Sequence, residues 1–171
     1  NKPRMLPLTG SASSLEWSPD GKHLAVALAP TPLVDDGYMM RRIHIVDVQS
    51  GQSLIQLDTQ GKLGQLAWSP NGQHLALIAG VDQHDPREGH LMLASLGNAQ
   101  VKDLLPAFPG HIWSMAWQDD DTIMYLGYQG VWTSFAKINT DGQGKRSIIP
   151  PGTHTLYGLS LSHDGFSGAF L

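Results

Sequence analysis

The sequence predicts an all-β fold built from repeated four-stranded units. Three observations lead to this prediction. A short pattern containing Trp and a Ser-Pro-Asp-Gly or Ser-Pro-Asn-Gly turn recurs, 19 Gly and 11 Pro among 171 residues supply turns, and only 15% of residues are charged. A turn-rich chain without sustained helical spacing is typical of an all-β protein, so we expect almost no helix.

The repeat occurs in four copies of decreasing quality. They begin at Leu15, Leu66, Met115 and Leu159 and read LEWSPDGKHLAVA, LAWSPNGQHLALI, MAWQDDDTIMYL and LSLSHDGFSGAFL. Trp17, Trp68 and Trp117 lie 51 and 49 residues apart, which is within the period range of propeller blades. We expect these three indoles to fill the space between neighbouring sheets.

Each complete unit has the pattern of one propeller blade. In the first, a strand ending at Trp17 is followed by the turn Ser18–Gly21 and by the apolar strand Leu24–Leu28. Ile43–Val48 and Leu54–Leu57 provide a third and a fourth strand. Four short antiparallel strands per repeat indicate a β-propeller.

The number of repeats predicts a partial β-propeller of about three and a half blades. The blades fall at about residues 13–58, 63–105, 112–149 and 156–171, the last incomplete, and Arg4–Leu8 is assigned to the outer strand of another blade. A closed ring typically has about 4–8 blades. Residues 1–171 are therefore expected to be a fragment of one propeller domain; the alternative is that two copies complete a ring together.

Composition argues against several classes of partner. The net charge of −4, with 11 Lys and Arg, is unsuited to neutralising many phosphates, so nucleic acid is not expected as a partner. The absence of cysteine excludes disulfides and thiolate metal sites. No apolar stretch approaches the length of a membrane span, and the compartment is left open with a lean towards the periplasm.

The motif at Trp17–Ala25 and Trp68–Ala76 resembles the blade signature of TolB-type propellers and of the N-terminal propeller of the prolyl oligopeptidase family. The segment Thr31–Arg42 resembles the first-blade insertion of dipeptidyl-aminopeptidase or acylaminoacyl-peptidase-like members. This resemblance implies a serine peptidase whose propeller gates access for peptide substrates. Its partners would be the missing blades and a C-terminal α/β-hydrolase domain carrying the Ser-Asp-His triad.

A non-enzymatic TolB-like or WD-like scaffold that binds a protein partner is the alternative. Gly110-His111 lies six residues before Trp117, as in WD repeats, but no strand ends in Trp-Asp. The adjacent glutamates that hold the substrate amino terminus in dipeptidyl peptidases are absent, because Glu16 and Glu88 are the only glutamates and are not adjacent.

No catalytic residue, cofactor or metal site is predicted within the chain. A nucleophile elbow requires Gly-x-Ser-x-Gly, and Gly158–Ser162 contains only its first half. The loop Asp82–His90 contains two His and three carboxylates, but loops rich in Asp, Pro and Gly are usually solvated turns. A third hypothesis, a propeller enzyme with a central metal, is disfavoured because the inner strands offer Glu16 as their one ligand-type residue.

A candidate surface for a partner domain or for charged substrate ends lies on the loops between second and third strands. Strand order places these loops on one face, opposite the Ser-Pro-Asp-Gly turns. The candidate residues are Asp35, Asp36, Tyr38, Arg41, Arg42, Asp82, His84 and Arg87. Trp113 and Trp132 fall outside the repeat and suit a surface role better than the other tryptophans, although we expect them in the core.

Overall fold

The computed structural model describes residues 2–84, 88–152 and 154–171. Its first sheet is antiparallel, and its strands neighbour one another in chain order. The sheet consists of β1 (Ser11–Trp17), β2 (His23–Ala29), β3 (Arg42–Asp47) and β4 (Ser53–Gln56), with helix α1 (Val34–Met39) between β2 and β3.

Two further four-stranded sheets and a two-stranded sheet repeat this arrangement. Their strands are β5 (Leu63–Trp68), β6 (His74–Ala79), β7 (His90–Ser95), β8 (Gln100–Asp103), β9 (His111–Trp117), β10 (Thr122–Gln129), β11 (Trp132–Asn139), β12 (Arg146–Ile149), β13 (Ser160–Leu161) and β14 (Gly168–Ala169). The first strands of successive sheets contact one another, β1 with β5, β5 with β9 and β9 with β13. The predicted all-β fold, a partial propeller of four-stranded antiparallel blades, is confirmed.

The turn between the first two strands has the same hydrogen bonds in three of the four copies. In the first, the Ser18 hydroxyl donates to the Asp20 carboxylate at 2.7 Å and accepts the backbone N–H of His23 at 2.9 Å. Ser69 with Asn71 and Ser162 with Asp164 repeat these contacts. The hydrogen bond from the Ser18 hydroxyl, followed by one from the Lys22 backbone N–H, lowers the pKa of the Asp20 carboxyl.

Neighbouring blades are held together by apolar side chains and by a repeated tryptophan contact. The Trp68 indole N–H donates to the carbonyl of Glu16 in the blade before it at 3.1 Å, and Trp117 donates to Ala67 at 3.0 Å. In each pair the acceptor residue directly precedes the tryptophan of the previous blade. The motif therefore specifies a contact between blades as well as a turn within one.

Trp17 differs from the expectation that all three motif tryptophans are enclosed, because 54% of its surface is exposed. In the described part of the chain no sheet covers its side of the first blade. Leu6 and Leu8 pack on the outer part of that side, and the Arg4 guanidinium donates to the carbonyls of Val48 and Gln49. Residues 4–8 form no strand in the structure.

Helix α1 occupies a segment for which the sequence predicts a loop. Its six residues are held by backbone bonds from Gly37 N–H to the Leu33 carbonyl and from Met40 N–H to the Asp36 carbonyl. The Asp36 carboxylate also accepts a hydrogen bond from the Thr31 hydroxyl at 2.5 Å. A helix of six residues, fewer than two turns, is too short to produce helical periodicity in a sequence.

Candidate functional site

The blades have two chemically different ends. One end carries the Ser-Pro-Asp-Gly and Ser-Pro-Asn-Gly turns, and we call it the turn face. The other end carries residues 30–41, 80–84 and 88–89 and the beginnings of β1, β5 and β9, and we call it the loop face. The loops between the second and third strands of the first two blades lie together on the loop face, as strand order requires.

The innermost strands of the three four-stranded blades each have a β-bulge near the loop face. The pairing skips Ser13 in β1, Gly64 and Gln65 in β5, and Trp113 in β9. Bulges redirect side chains and often lie beside functional sites. The Gln65 side chain bonds both backbone groups of Met115 at 2.9 Å, which fixes the second bulge against the third blade.

Three of the predicted surface residues lie together on α1. Asp35, Asp36 and Tyr38 line a cavity of about 620 Å³ that is completed by Met39, Met40 and Lys62. The Tyr38 side chain is 58% exposed. This cavity therefore presents two carboxylates, one ammonium group and an accessible aromatic ring.

Arg41 and Arg42 do not face this cavity. The Arg41 guanidinium donates to the Leu63 carbonyl at 2.6 Å and to the Ser13 hydroxyl at 3.3 Å, so it bridges the first two blades. Burial lowers the pKa of the Arg41 guanidinium. Arg42 donates to the carbonyl of Arg41 at 2.8 Å and lines a separate, smaller cavity near Thr9.

The loop of the second blade approaches α1 through Gln83, whose amide lies 3.7 Å from the Met40 sulfur. Asp82 accepts the backbone N–H of His84 at 2.9 Å, so both predicted residues lie in a local turn beside the cavity. Arg87 lies outside the described residues, as do Asp85 and Pro86. Among the described residues, no group of three His, Cys, Asp or Glu side chains is placed to hold a metal ion.

A second cavity adjoins the first at Lys62, which lines both. It has a volume of about 310 Å³ and lies between the second and third blades. Its walls are Leu63, Gly64, Ile78, Gly80, Gly89, His111, Ile112 and Trp113. We call the two adjoining cavities the loop-face groove. It runs from the acidic end at α1 to an apolar, aromatic end at β9.

His111 is held neutral at the aromatic end of the groove. Its Nδ1 accepts the backbone N–H of Gly89 at 2.8 Å, which requires an unprotonated Nδ1. Burial lowers the pKa of the His111 imidazole, and the nearby Glu88 carboxylate opposes that shift without reversing it. Protonation of the imidazole would therefore place a charge in a partly buried site and would break the hydrogen bond from the Gly89 N–H.

Acidification should destabilise the protein through His111. The pKa of His111 is lowered in the folded state from the usual 6.5. The neutral imidazole therefore contributes fully to the free energy of unfolding above pH 6.5, and this contribution is lost as the pH falls through the folded-state pKa. Urea unfolding at pH 7.5 and at pH 5.5 should show a smaller pH difference in His111→Gln than in the parent chain. Equal differences in the two proteins would contradict this assignment.

The sequence pattern does not indicate Lys62, His111 or Trp113 as groove residues. Lys62 lies in the connection between blades, outside any motif. His111 was noted only as half of a WD-type dipeptide, and Trp113 was expected in the core but is 55% exposed. Trp132 was also expected in the core, and it is 43% exposed at the tip of the β10–β11 hairpin.

No family model matches the sequence, and no significantly similar curated protein was found. Solved structures do match. TolB from Acinetobacter baumannii is 18% identical with a TM-score of 0.64 over 94% of the chain, and the β-propeller domain of Myceliophteria thermophila Cps50 (Swd1) is 11% identical with a TM-score of 0.67 over 95%. The chain folds as part of a β-propeller.

The tricorn protease is also similar, at 13% identity with a TM-score of 0.57 over 76% of the chain. This chain covers 37% of TolB, 49% of the Swd1 domain and 14% of the tricorn protease, less than half of each. Identities this low show the fold and not the activity. In the described part of the chain, no helix is long and apolar enough to cross a membrane.

Proposed function

We propose that this chain is the binding part of a propeller protein and that the loop-face groove holds an extended segment of a protein partner. The observation that carries the proposal is that Lys62 lines both cavities, so a charged cavity and an apolar one adjoin on the loop face of the three blades. A segment lying along it would meet carboxylates, an ammonium group and aromatic rings in turn. Such a mixture suits a polypeptide better than a small apolar ligand.

Site-specific photocrosslinking tests this proposal. A photoreactive phenylalanine at Tyr38, which is exposed in the groove, should give a discrete crosslinked polypeptide in cells that express the full-length protein. The matched control carries the same group at Gln73, an exposed position on the turn face, and should not give that product. Identical products from both positions, or none from Tyr38, would contradict a binding role for the loop face.

A second candidate is the gating propeller of a serine peptidase. Two observations favour it, the similarity of Thr31–Arg42 to a first-blade insertion of prolyl-oligopeptidase-family members and the structural likeness to the tricorn protease. The loop face would then contact an α/β-hydrolase domain, and peptide substrates would pass the propeller to reach it. The catalytic serine would lie outside these residues.

Labelling with a fluorophosphonate probe, which modifies activated serines, tests the second candidate. The full-length polypeptide should be labelled and should hydrolyse short peptides, whereas residues 1–171 alone should not be labelled. A full-length protein that is neither labelled nor active would leave the scaffold function as the explanation of the groove.

A further inference from the structure

The aromatic end of the groove has features that a solvated surface does not require. Trp113 is 55% exposed, although Met115, which lies two residues later and would share its face in a regular strand, is 1% exposed. The bulge in β9 accounts for this difference, because Trp113 is the residue that the pairing skips. A bulge that turns a large apolar side chain into a cavity is a costly feature, since exposed tryptophan loses the free energy of burial.

The exposed indole is nevertheless held in place by other rings. Trp113 meets Tyr128 edge to face at a centroid distance of 5.8 Å and lies 5.9 Å from the His111 ring. Tyr128 in turn lies 6.3 Å from Tyr157, which is 51% exposed. A ring whose rotamer is already restricted loses little entropy when a ligand binds, and preorganised aromatic residues are the usual anchors of binding surfaces.

The cavity beside Trp113 is shaped to take a side chain. Two of its lining residues, Ile78 and Ile112, are buried, at 4% and 1% exposed, and three others are glycines. A Cβ atom on Gly89 would lie 2.7 Å from the Ile78 Cγ2 atom and 3.0 Å from His111 Cε1, so only glycine allows the wall to pack this closely against both side chains. A volume of about 310 Å³ is at the lower end of ligand pockets, enough for one large side chain and a short length of backbone.

His111 adds one hydrogen-bond donor to this apolar pocket. Because Nδ1 accepts the Gly89 N–H, the neutral ring carries its proton on Nε2. An N–H group at the edge of an apolar pocket can donate to a backbone carbonyl of a bound segment. One such polar group beside an apolar cavity can orient a bound segment, and the segment needs no charged group to pair with it.

The charge at the α1 end of the groove indicates which kind of side chain the bound segment would place there. The first cavity is lined by Asp35 and Asp36 with one Lys62 ammonium group, so carboxylates outnumber the cation. Complementary charge on a partner raises its rate of association and fixes its orientation. A basic residue on the bound segment is therefore favoured at the α1 end of the groove.

Resting on the proposed binding function, we propose that the pocket between Ile78, His111 and Trp113 anchors a large apolar side chain of the partner, and that a nearby Lys or Arg of the same segment lies against Asp35 and Asp36. The partner is thus a polypeptide with an exposed apolar residue and a basic residue separated by a few positions.

Fluorescence anisotropy with defined peptides tests this assignment. The probes are fluorescein-labelled Gly/Ser peptides with one Phe and one Lys separated by two to five residues, each paired with a version in which Phe is replaced by Ala. At least one Phe peptide should bind tenfold or more tighter than its Ala version. Trp113→Ala should remove that difference, Asp35→Lys should weaken the same peptide several-fold, and Trp132→Ala, which alters an exposed indole that lines neither cavity, should leave binding unchanged.

Either of two results would overturn the proposal: no Phe peptide binding better than its Ala version, or Trp113→Ala binding the Phe peptide as tightly as the parent chain. The far-ultraviolet circular dichroism of Trp113→Ala should match the parent, and its urea midpoint should fall only slightly, because the indole is 55% exposed and its ring contacts are with Tyr128 and His111. If the Tyr38 crosslink persists while the peptide result fails, the binding function stands and only this anchor is wrong.

Discussion

Replacing Trp68 with alanine should lower the free energy of unfolding by about 3–5 kcal/mol, the range found when large buried aromatic side chains are truncated. Trp68 is 9% exposed and packs in the core shared by the first two blades. Its indole N–H also donates to the Glu16 carbonyl at 3.1 Å, so the substitution removes both packing and a hydrogen bond between blades. Urea unfolding followed by circular dichroism measures the loss.

Trp17→Ala is the matched control for this experiment. The two tryptophans occupy the same position in near-identical motifs, but Trp17 is 54% exposed and Trp68 is 9% exposed. In residues 1–171, the Trp17 substitution should cost less than about 1 kcal/mol, as surface substitutions usually do. Trp68→Phe should fall between the two, because a ring remains while the bond to Glu16 is lost. Equal costs at Trp17 and Trp68 would contradict the blade arrangement.

The second large effect is expected at Tyr125, a tyrosine in the core between the second and third blades. Its side chain is fully buried, and its ring meets Phe108 edge to face at 6.2 Å. Tyr125 pairs with Met115, two residues before Trp117. In the second blade the equivalent pair is Leu77 with Leu66, two residues before Trp68, so Tyr125 stands where that blade has an aliphatic side chain. Tyr125→Ala should cost about 3–5 kcal/mol by leaving a cavity.

Tyr125→Phe should raise the free energy of unfolding or leave it unchanged, in contrast to Tyr125→Ala. The buried Tyr125 hydroxyl has no hydrogen-bond partner, and burying such a group costs about 1–3 kcal/mol. Burial also raises the pKa of Tyr125 to about 12, so its contribution to stability is complete below pH 10 and is lost as pH rises through 12. Unfolding at neutral pH should show Tyr125→Phe at least as stable as the parent. A loss of more than 1 kcal/mol would mean that the hydroxyl is bonded after all.

The blade architecture could be predicted because its determinants are local and recur. The Ser18, Asp20 and Gly21 turn is specified within four residues, and its hydrogen bonds return at Ser69 and Ser162. The apolar strand that follows each turn can pair only as a hairpin. The recurrence of this motif at intervals of about 50 residues then indicates a propeller blade, even where the intervening residues differ between repeats.

The groove could not be predicted to the same extent, because it depends on contacts between blades. The exposure of Trp113 follows from a β-bulge in β9, and the residues next to Trp113 in the sequence do not indicate this bulge. Arg41 was grouped with Asp35 and Asp36 by sequence position, yet its guanidinium points between two blades towards Leu63. Trp17 and Trp68 have nearly the same neighbours in sequence, and only the presence or absence of an adjacent sheet separates their environments.

Hydrogen exchange of the five indole N–H groups tests most directly whether one contact between blades repeats along the chain. In residues 1–171, the indoles of Trp68 and Trp117 should exchange slowly, because both donate to carbonyls of the preceding blade. The Trp17 indole should exchange rapidly, since it is exposed. Rapid exchange at Trp68 and Trp117, at the rate of Trp17, would contradict the packing of these blades as a propeller.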